Sequence, residues 1–169
     1  MSSPHTSPAR PAEREPGHDT ARARGLVVVS GVASDAHTWN LVFLQLLIEE
    51  LGYEVVNLGP CVPDEMLVEE CRLLEPDLVV ISSVNGHGHQ DGLRLIGRLR
   101  ACESLVATPV AIGGKLAISD DNAERIAREL AAAGYDAVFP DGAAGVAEFR
   151  NFVGVLPRPS LTAGSRSGA

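Results

Sequence analysis

The sequence lacks the features that mark nucleic-acid binding, membrane insertion and export. It has 14 lysines and arginines against 22 aspartates and glutamates, for a formal net charge of −8, so we expect no basic surface for nucleic acid or anionic lipid. The longest apolar stretches are about six residues, too short to cross a bilayer, and residues 1–24 contain no apolar signal core. We therefore expect a cytoplasmic protein with no nucleic-acid or membrane partner.

Cysteine is also scarce, and its spacing excludes a disulfide framework. The chain has three cysteines, Cys61, Cys71 and Cys102, with no CxxC pair among them. An odd number of cysteines without an export signal predicts reduced thiols. Cys71 and Cys102 fall in predicted helices, where a buried structural role is expected.

The length and apolar content predict one domain between two polar ends. A chain of 169 residues, 45% of them hydrophobic, can form one full core. Residues 1–24 and 154–169 are rich in proline, serine, glycine and charge, which is typical of disordered tails. The domain is therefore predicted to span residues 25–153.

Within that span, strand and helix patterns alternate five times. The predicted strands are 25–31, 53–58, 77–82, 108–112 and 136–139, and the predicted helices are 40–51, 63–74, 90–102, 119–133 and 143–152. Pro63 is placed in the first turn of its helix, Ser119 is a candidate N-cap and Gly134 is a C-terminal stop. This alternation predicts a doubly wound α/β fold: a five-stranded parallel sheet in the flavodoxin-like (Rossmann-like) order 2-1-3-4-5.

That strand order places a ligand site outside the carboxyl ends of strands 1 and 3, where the connections diverge. The loops there are 31–39, which contains Asp35 and His37, and 83–89, which contains His87 and His89. A carboxylate that accepts the proton of one imidazole nitrogen leaves the other nitrogen free for a metal. Asp35 could instead be a helix N-cap, Gly113-Gly114 a tight turn, and the pair His87 and His89 a metal chelate.

Several other ligand classes lack their motifs. Strand 1 is not followed by GxGxxG, and no P-loop occurs anywhere in the sequence. A phosphate-accepting receiver domain shares the fold but has an aspartate at the end of strand 3. This chain has Ser82-Ser83 there, and Lys115 alone is weak support for a receiver.

The loop residues resemble those of the B12-binding domains, whose motifs are DxHxxG, SxL and GG. They occur here as Asp35-x-His37-x-x-Asn40, Ser82-x-Val84 and Gly113-Gly114. The resemblance covers about residues 25–150 and extends most closely to the small subunits of glutamate mutase (methylaspartate mutase). The stretches similar to that family include residues 34–37, 55–59, 82–88, 112–114 and 134–136.

The resemblance implies a role for each matching residue. His37 would be the lower ligand of the cobalt of adenosylcobalamin, bound base-off, and Asp35 would hydrogen-bond the far nitrogen of His37. Ser82 would bond the displaced benzimidazole, and Gly113 and Gly114 would line the nucleotide tail. The cofactor contacts implied by the family are completed by Ser34, Ala36, Thr38, Val84 and Gly86. Asn40 stands at the motif glycine and Val84 at the motif leucine. Because asparagine can adopt unusual backbone angles and can cap a helix, we expect the site to survive the first exchange, with some loss of cofactor affinity.

The same resemblance implies one component of a two-subunit isomerase that converts L-glutamate to threo-3-methylaspartate. A β/α barrel, which needs about 250 residues, would come from a large partner subunit. The alternative is a corrinoid carrier or a cobalamin-responsive regulator, although only 24 residues precede strand 1, too few for the helical cap of a carrier. A third alternative is an assembly domain that has lost its cofactor, against which the Asp35–His37 pair argues.

Overall fold

The computed structural model describes residues 24–157, which form five strands and five α-helices. In chain order they are β1 (Leu26–Gly31), α1 (Trp39–Glu50), β2 (Glu54–Gly59), α2 (Asp64–Leu74), β3 (Leu78–Ser83), α3 (Gly88–Ala101), β4 (Val110–Gly114), α4 (Ala123–Ala133), β5 (Ala137–Phe139) and α5 (Ala143–Gly154). Short 3-10 turns at Glu103–Leu105 and Asp120–Asn122 precede β4 and α4. The predicted alternation of strands and helices is confirmed.

All five strands are parallel, in the order β2-β1-β3-β4-β5, as predicted. The register aligns Gly31 of β1 with Ser82 of β3, and Ser82 with Gly113 of β4. The carboxyl ends of these three strands therefore meet at one edge of the sheet, where the β1–α1, β3–α3 and post-β4 loops begin.

The sheet separates two apolar clusters, because successive strand residues face opposite sides. On one side Val28, Val79 and Ile112 pack with α2, α3 and α4. On the other side Val27, Val29 and Val80 pack with α1 and α5. β1 and β3 are thus covered on both faces, which explains why they read as continuous β-branched runs.

Element boundaries differ from the predictions by a few residues. Ser119 does not cap α4; a 3-10 turn intervenes, and the Ser119 hydroxyl accepts the Asp121 amide at 3.4 Å at the start of that turn. Gly134 ends α4 with a φ of +129°, as predicted. α5 continues to Gly154, and the Arg24 amide donates to Gly52 O at 2.8 Å, so order extends slightly beyond 25–153. The rest of both predicted tails lies outside the described residues.

Cys61, Cys71 and Cys102 are all free thiols, as predicted. Cys71 is buried in α2, and burial, with a smaller contribution from Glu70, raises the pKa of its thiol to about 12. Cys102 is half-buried at the C-cap of α3, and Cys61 is exposed.

Across residues 24–157, none of the helices is both long and apolar enough to span a bilayer.

Candidate functional site

Asp35 is the anchor of the β1–α1 loop, and its side chain is 1% exposed. Its Oδ2 accepts the amide of Val84 from the β3–α3 loop at 2.6 Å. Its Oδ1 accepts the His37 amide at 3.0 Å and lies 2.6 Å from His37 Nδ1. Asp35 is therefore not the N-cap of α1, a position that Thr38 occupies; it joins two loops and holds the imidazole.

The environment of Asp35 keeps its carboxylate ionised. Burial alone would raise the pKa of this carboxyl. Hydrogen bonds from the amides of Val84 and His37, together with the His37 ring, outweigh that effect and hold the Asp35 pKa below its ordinary value. An ionised Asp35 accepts the proton of His37 Nδ1, which fixes the tautomer with Nε2 as a free electron-pair donor.

His37 lies in the β1–α1 loop at the carboxyl edge of the sheet, and its side chain is 52% exposed. Among residues 24–157, Asp35 is the only hydrogen-bond partner found for its ring. The imidazole is consequently fixed at one nitrogen and accessible at the other, which is the arrangement of a metal-binding histidine with a supporting carboxylate.

A second set of hydrogen bonds clamps the same two loops together. Asn85 donates from Nδ2 to the Ser34 carbonyl at 3.1 Å and to the Ser34 hydroxyl at 3.0 Å. Asn85 Oδ1 accepts the Ser83 hydroxyl at 3.1 Å and the His87 amide at 2.9 Å. The Ser34 hydroxyl in turn donates to Asp91 of α3 at 2.5 Å. The residue just before Asp35 is thereby fixed from two directions.

Beside this polar clamp, a cavity of about 120 Å³ opens between the sheet and helices α1 and α5. Its walls are mainly apolar and aromatic, and its lining includes Trp39, Phe43, Val80, Ala111, Gly113, Gly114, Phe139 and Phe149. Ser82, Val84 and Asn40 also line it. We refer to this cavity as the slot.

Asn40 and Ser82 form the polar pair of the slot. Both side chains are buried, at 5% and 4% exposure, and Asn40 Nδ2 donates to Ser82 Oγ at 2.7 Å. Asn40 Oδ1 is buried and finds no hydrogen-bond partner among residues 24–157. Leaving a buried acceptor without a partner lowers the stability of a folded protein by about 1–3 kcal/mol, so the Asn40–Ser82 pair is only partly satisfied.

Two glycines at this edge are required by the backbone. Gly114 has a φ of +97°, and a Cβ on it would lie 2.3 Å from the Ser83 carbonyl oxygen. Gly86 has a φ of +85° and donates its amide to Lys115 O at 3.1 Å. Glycine thus allows the β3 and β4 strand ends to approach closely while both loops turn away from the sheet.

Most residues predicted for the site converge, in two groups. Ser34, Asp35, His37 and Val84 are linked by the loop hydrogen bonds, while Ser82, Val84, Gly113 and Gly114 line the slot. Ala36 and Thr38 are exposed beside His37 and do not line the slot, and Gly86 is buried in the β3–α3 loop.

The positions of His87 and His89 do not support the alternative of a metal chelate between them. His89 Nε2 pairs with Glu129 Oε2 of α4 at 2.7 Å, while His87 is exposed. No group of three or more histidine, cysteine, aspartate or glutamate side chains suited to a metal ion occurs within the described chain.

Three residues of this edge were not predicted as site residues. Asn40 was noticed only as a departure from a motif, although a polar residue at a glycine position is itself a signal. Asn85 lies in the 83–89 loop, which the strand order placed at the site. The sequence could not predict its hydrogen-bond partner, Ser34, which is 51 positions away. Asp91 gave no signal, because an acidic residue in the first turn of a helix is explained by the helix dipole.

Comparison with known proteins places these features in a family. Residues 25–150 match the model of the B12 binding domain. The glutamate mutase sigma subunit of Treponema denticola is 30% identical over 125 residues, covering 71% of this chain and 86% of the relative. The glutamate mutase sigma subunit of Halobacterium salinarum is 32% identical over 113 residues, covering 67% and 74%.

A solved structure supports the fold. The crystal structure of a novel cobalamin-binding protein from Desulfitobacterium hafniense DCB-2 superposes with a TM-score of 0.61 at 23% identity over 78% of this chain. The chain spans 60% of the length of that structure. With the fold, the edge geometry and the sequence match in agreement, the chain belongs to the B12 binding domain family, in which its relatives include glutamate mutase sigma subunits, and it is a cobalamin-binding domain.

Proposed function

We propose that this chain is the cobalamin-binding small subunit of an adenosylcobalamin-dependent carbon-skeleton mutase, and that His37 is the lower ligand of cobalt. The observation that carries the proposal is the pair at the mouth of the sheet. His37 is half-exposed with Nδ1 held 2.6 Å from the buried carboxylate of Asp35, which leaves Nε2 to donate to a metal.

The residues present fit the cofactor. An accessible imidazole with a fixed tautomer suits a first-row transition metal such as cobalt. The slot beside it is mainly apolar and aromatic, and its lining includes the hydrogen-bonded polar pair Asn40 and Ser82. Such a slot would accept a flat heterocyclic base, and so suits the nucleotide tail of a corrinoid bound base-off.

Each part of the site would have a separate task. The Asp35 carboxylate would orient His37 and make it a better donor to the metal. The Asn85 clamp would hold the loop that carries both residues. Ser82 would hydrogen-bond the displaced base, and Val84, Gly113 and Gly114 would line its nucleotide. Ala36, Thr38 and Gly86 would contact the cofactor beyond the slot.

When bound, adenosylcobalamin supplies the radical that starts a carbon-skeleton rearrangement. The protein in such a reaction provides position and exclusion of water. His37 and its loop would present one face of the cofactor to a second subunit, a β/α barrel that holds the substrate. Relatives named glutamate mutase sigma subunit favour L-glutamate and threo-3-methylaspartate as substrate and product.

A visible-absorbance titration tests the ligand assignment. Adenosylcobalamin is added to the native chain and to His37→Ala, with His87→Ala, an exposed histidine of the facing loop, as the matched control. Native protein and His87→Ala are expected to give one common spectrum of bound cofactor, and His37→Ala a different one. Identical spectra for all three would contradict axial ligation by His37.

An activity assay tests the enzyme assignment separately. The chain is mixed with adenosylcobalamin and a candidate barrel subunit, and glutamate isomerisation is measured. Turnover that requires both proteins is expected. Tight cobalamin binding without turnover with any candidate barrel would leave the alternative, a corrinoid carrier or a cobalamin-responsive regulator.

A further inference from the structure

We propose that Asp91 is a positioning residue for cobalt ligation, which acts on the His37 loop through the hydroxyl of Ser34. This inference rests on the proposed function, because it requires that His37 binds cobalt. It starts from a carboxylate of α3 that is buried beside the site. Asp91 is 8% exposed, and its Oδ2 accepts the Ser34 hydroxyl at 2.5 Å from 57 positions away in the chain.

A role at the end of a helix explains only part of this geometry. Asp91 lies in the first turn of α3, where the helix dipole favours an acidic residue, and it pairs with Arg94 three residues further along. Both effects are available to an exposed side chain. A carboxylate is buried at a large cost unless it is paired and hydrogen-bonded, so the bond from another loop to Asp91 needs a separate explanation.

The hydrogen bonds around Asp91 form a chain in which the direction of each bond is fixed. A guanidinium has only donors and a carboxylate only acceptors, so Arg94 Nη1 donates to Asp91 Oδ1 at 2.8 Å and the Ser34 hydroxyl donates to Oδ2. Asn85 Nδ2 donates to Ser34 Oγ at 3.0 Å, since Asn85 Oδ1 already accepts the amide of His87. Although Ser34 is an exposed residue, its hydroxyl therefore both accepts and donates within the protein.

The other end of this chain is anchored on α2. Arg94 donates to Asp64 through Nε at 2.5 Å and through Nη2 at 3.2 Å, and Asp64 is 5% exposed at the start of α2. A two-point contact of this kind fixes the plane of the guanidinium, so Arg94 also fixes Asp91. The chain of hydrogen bonds thus ties the β1–α1 loop to both α2 and α3.

The tie acts one residue before the Asp35–His37 pair. Asp35 lies 2.6 Å from His37 Nδ1, and metal affinity depends on how well such a supporting group holds the ligating histidine. Releasing Ser34 would free the backbone on the amino side of Asp35, so His37 would sample positions from which Nε2 does not reach cobalt. Because its hydroxyl is committed to Asp91, Ser34 acts as a link between Asp91 and this loop.

The test is a visible-absorbance titration of the native chain, Asp91→Asn and Ser34→Ala with adenosylcobalamin. In Asp91→Asn an amide NH₂ replaces one carboxylate oxygen at nearly the same size, so either Ser34 or Arg94 loses its acceptor. Cobalamin affinity should fall by about three- to thirtyfold, somewhat less than the loss of about 10–100-fold that is typical of a group bonded directly to the ligating histidine. The spectrum of the bound cofactor should shift towards that of His37→Ala.

Double variants separate positioning from other causes of weaker binding. If Asp91 acts through Ser34 on His37, Asp91→Asn should weaken cobalamin binding no further in the Ser34→Ala background or in the His37→Ala background. The free energy of unfolding should respond differently. Asp91→Asn also disturbs the contact with Arg94, so it should remain destabilising in both backgrounds.

Ile96→Val is the matched control for loss of stability on the same helix. It shortens a side chain of α3 that is 0% exposed and makes no hydrogen bond to the loop, so it should lower the free energy of unfolding and leave cobalamin affinity and the spectrum unchanged. Circular dichroism checks that each variant is folded. If Asp91→Asn does not fold, Ser34→Ala and its double variant with His37→Ala carry the same test.

Native affinity together with a native spectrum in Asp91→Asn would overturn the inference and leave the proposed function intact. A loss of affinity that persists in full in the His37→Ala background would do the same. A spectrum of bound cobalamin that His37→Ala does not change would overturn both the inference and the proposed function.

Discussion

Three helices cover one face of the sheet and two cover the other, and helix α3 on the first face exposes its apolar side chains less than helix α1 on the second. On the three-helix face, Leu95, Ile96 and Leu99 of α3 are at most 1% exposed. On the two-helix face, Trp39 and Phe43 of α1 are 64% and 46% exposed. The slot opens on this second face.

The difference follows from where the two helices pack. α1 lies mainly against β1 and β2, and α5 lies against β5, so the carboxyl ends of β3 and β4 lie beneath the space between the two helices. Val80 and Ala111 on those strands line the slot. The slot therefore lies over β3 and β4, between the two helices of this face.

The largest expected effect comes from a pair of truncations, one at a buried position of α3 and one at an exposed position of α1. Ile96→Ala removes a side chain that is 0% exposed and should lower the free energy of unfolding by about 2–5 kcal/mol. Leu46→Ala, on α1 and 61% exposed, should change it by no more than about 0.5 kcal/mol. Urea unfolding measures both, and equal losses would show that burial, the property in which these two positions differ, does not set their contributions to stability.

The charged cluster between α2 and α3 gives the next largest effect. Arg94 contacts Asp64 at 2.5 Å and Asp91 at 2.8 Å, and both carboxylates are buried. Arg94→Met leaves two buried carboxylates without their shared partner, and since Arg94 is 45% exposed the loss should be about 1–3 kcal/mol.

Arg125→Met is the matched control for that variant. Arg125 pairs with Glu129 at 2.5 Å one turn further along an exposed helix face, and solvent screens such exposed pairs, so their contribution to stability is small. Equal destabilisation of the two arginine variants would show that the Arg94 cluster contributes no more to stability than the exposed Arg125–Glu129 pair.

The hydrogen bonds from Asn85 that join the β3–α3 loop to the β1–α1 loop give the next prediction. Asn85→Ala removes both bonds to Ser34, so unfolding free energy should fall by about 1–2 kcal/mol. The looser His37 loop should also weaken cobalamin binding in an absorbance titration. Asn122→Ala, at an α4 N-cap whose side chain makes no capping bond, should change neither. Unaltered cobalamin affinity in Asn85→Ala would show that the clamp does not position the loop.

The smallest expected effect is a pH dependence of the unfolding free energy that comes from Asp35. The pKa of Asp35 is lower in the folded protein than its ordinary value of 3.8, so its ionised form stabilises the fold. That contribution is fully present above the unfolded pKa and is lost as pH falls through the folded pKa. The stability difference between native protein and Asp35→Asn should therefore be constant above about pH 5 and shrink on acidification below about pH 4. A difference that grew in acid would reverse the assigned shift.

The fold was predictable from the sequence because each element carries a strong periodic signal. The buried runs of β1 and β3 and the apolar spacing of α3 identify elements, and right-handed crossovers leave few strand orders. The missed boundary at Ser119 shows the limit. Serine before two aspartates is compatible with a 3-10 turn or an α-helical start, and tertiary packing decides between them.

The part of the site that depends on residues close together in the sequence was predictable, and the part that depends on long-range contacts was not. The spacing of Asp35 and His37 places a carboxylate near an imidazole through local geometry alone. The Val84 amide on Asp35 and the Asn85 bonds to Ser34 join residues 49 and 51 positions apart, so they depend on strand register. The Asn40–Ser82 bond likewise exists only because α1 lies over the end of β3.

The central claim, that a protein imidazole binds cobalt, is tested most directly by electron paramagnetic resonance of the domain loaded with cob(II)alamin. Protein labelled with ¹⁵N at histidine is compared with unlabelled protein, since the nuclear spin of the lower ligand splits the cobalt signal into three lines for ¹⁴N and two for ¹⁵N. We predict doublets in the labelled native protein and in labelled His87→Ala. Triplets in the labelled native protein would show that the cofactor's own base remains on cobalt and would contradict the account.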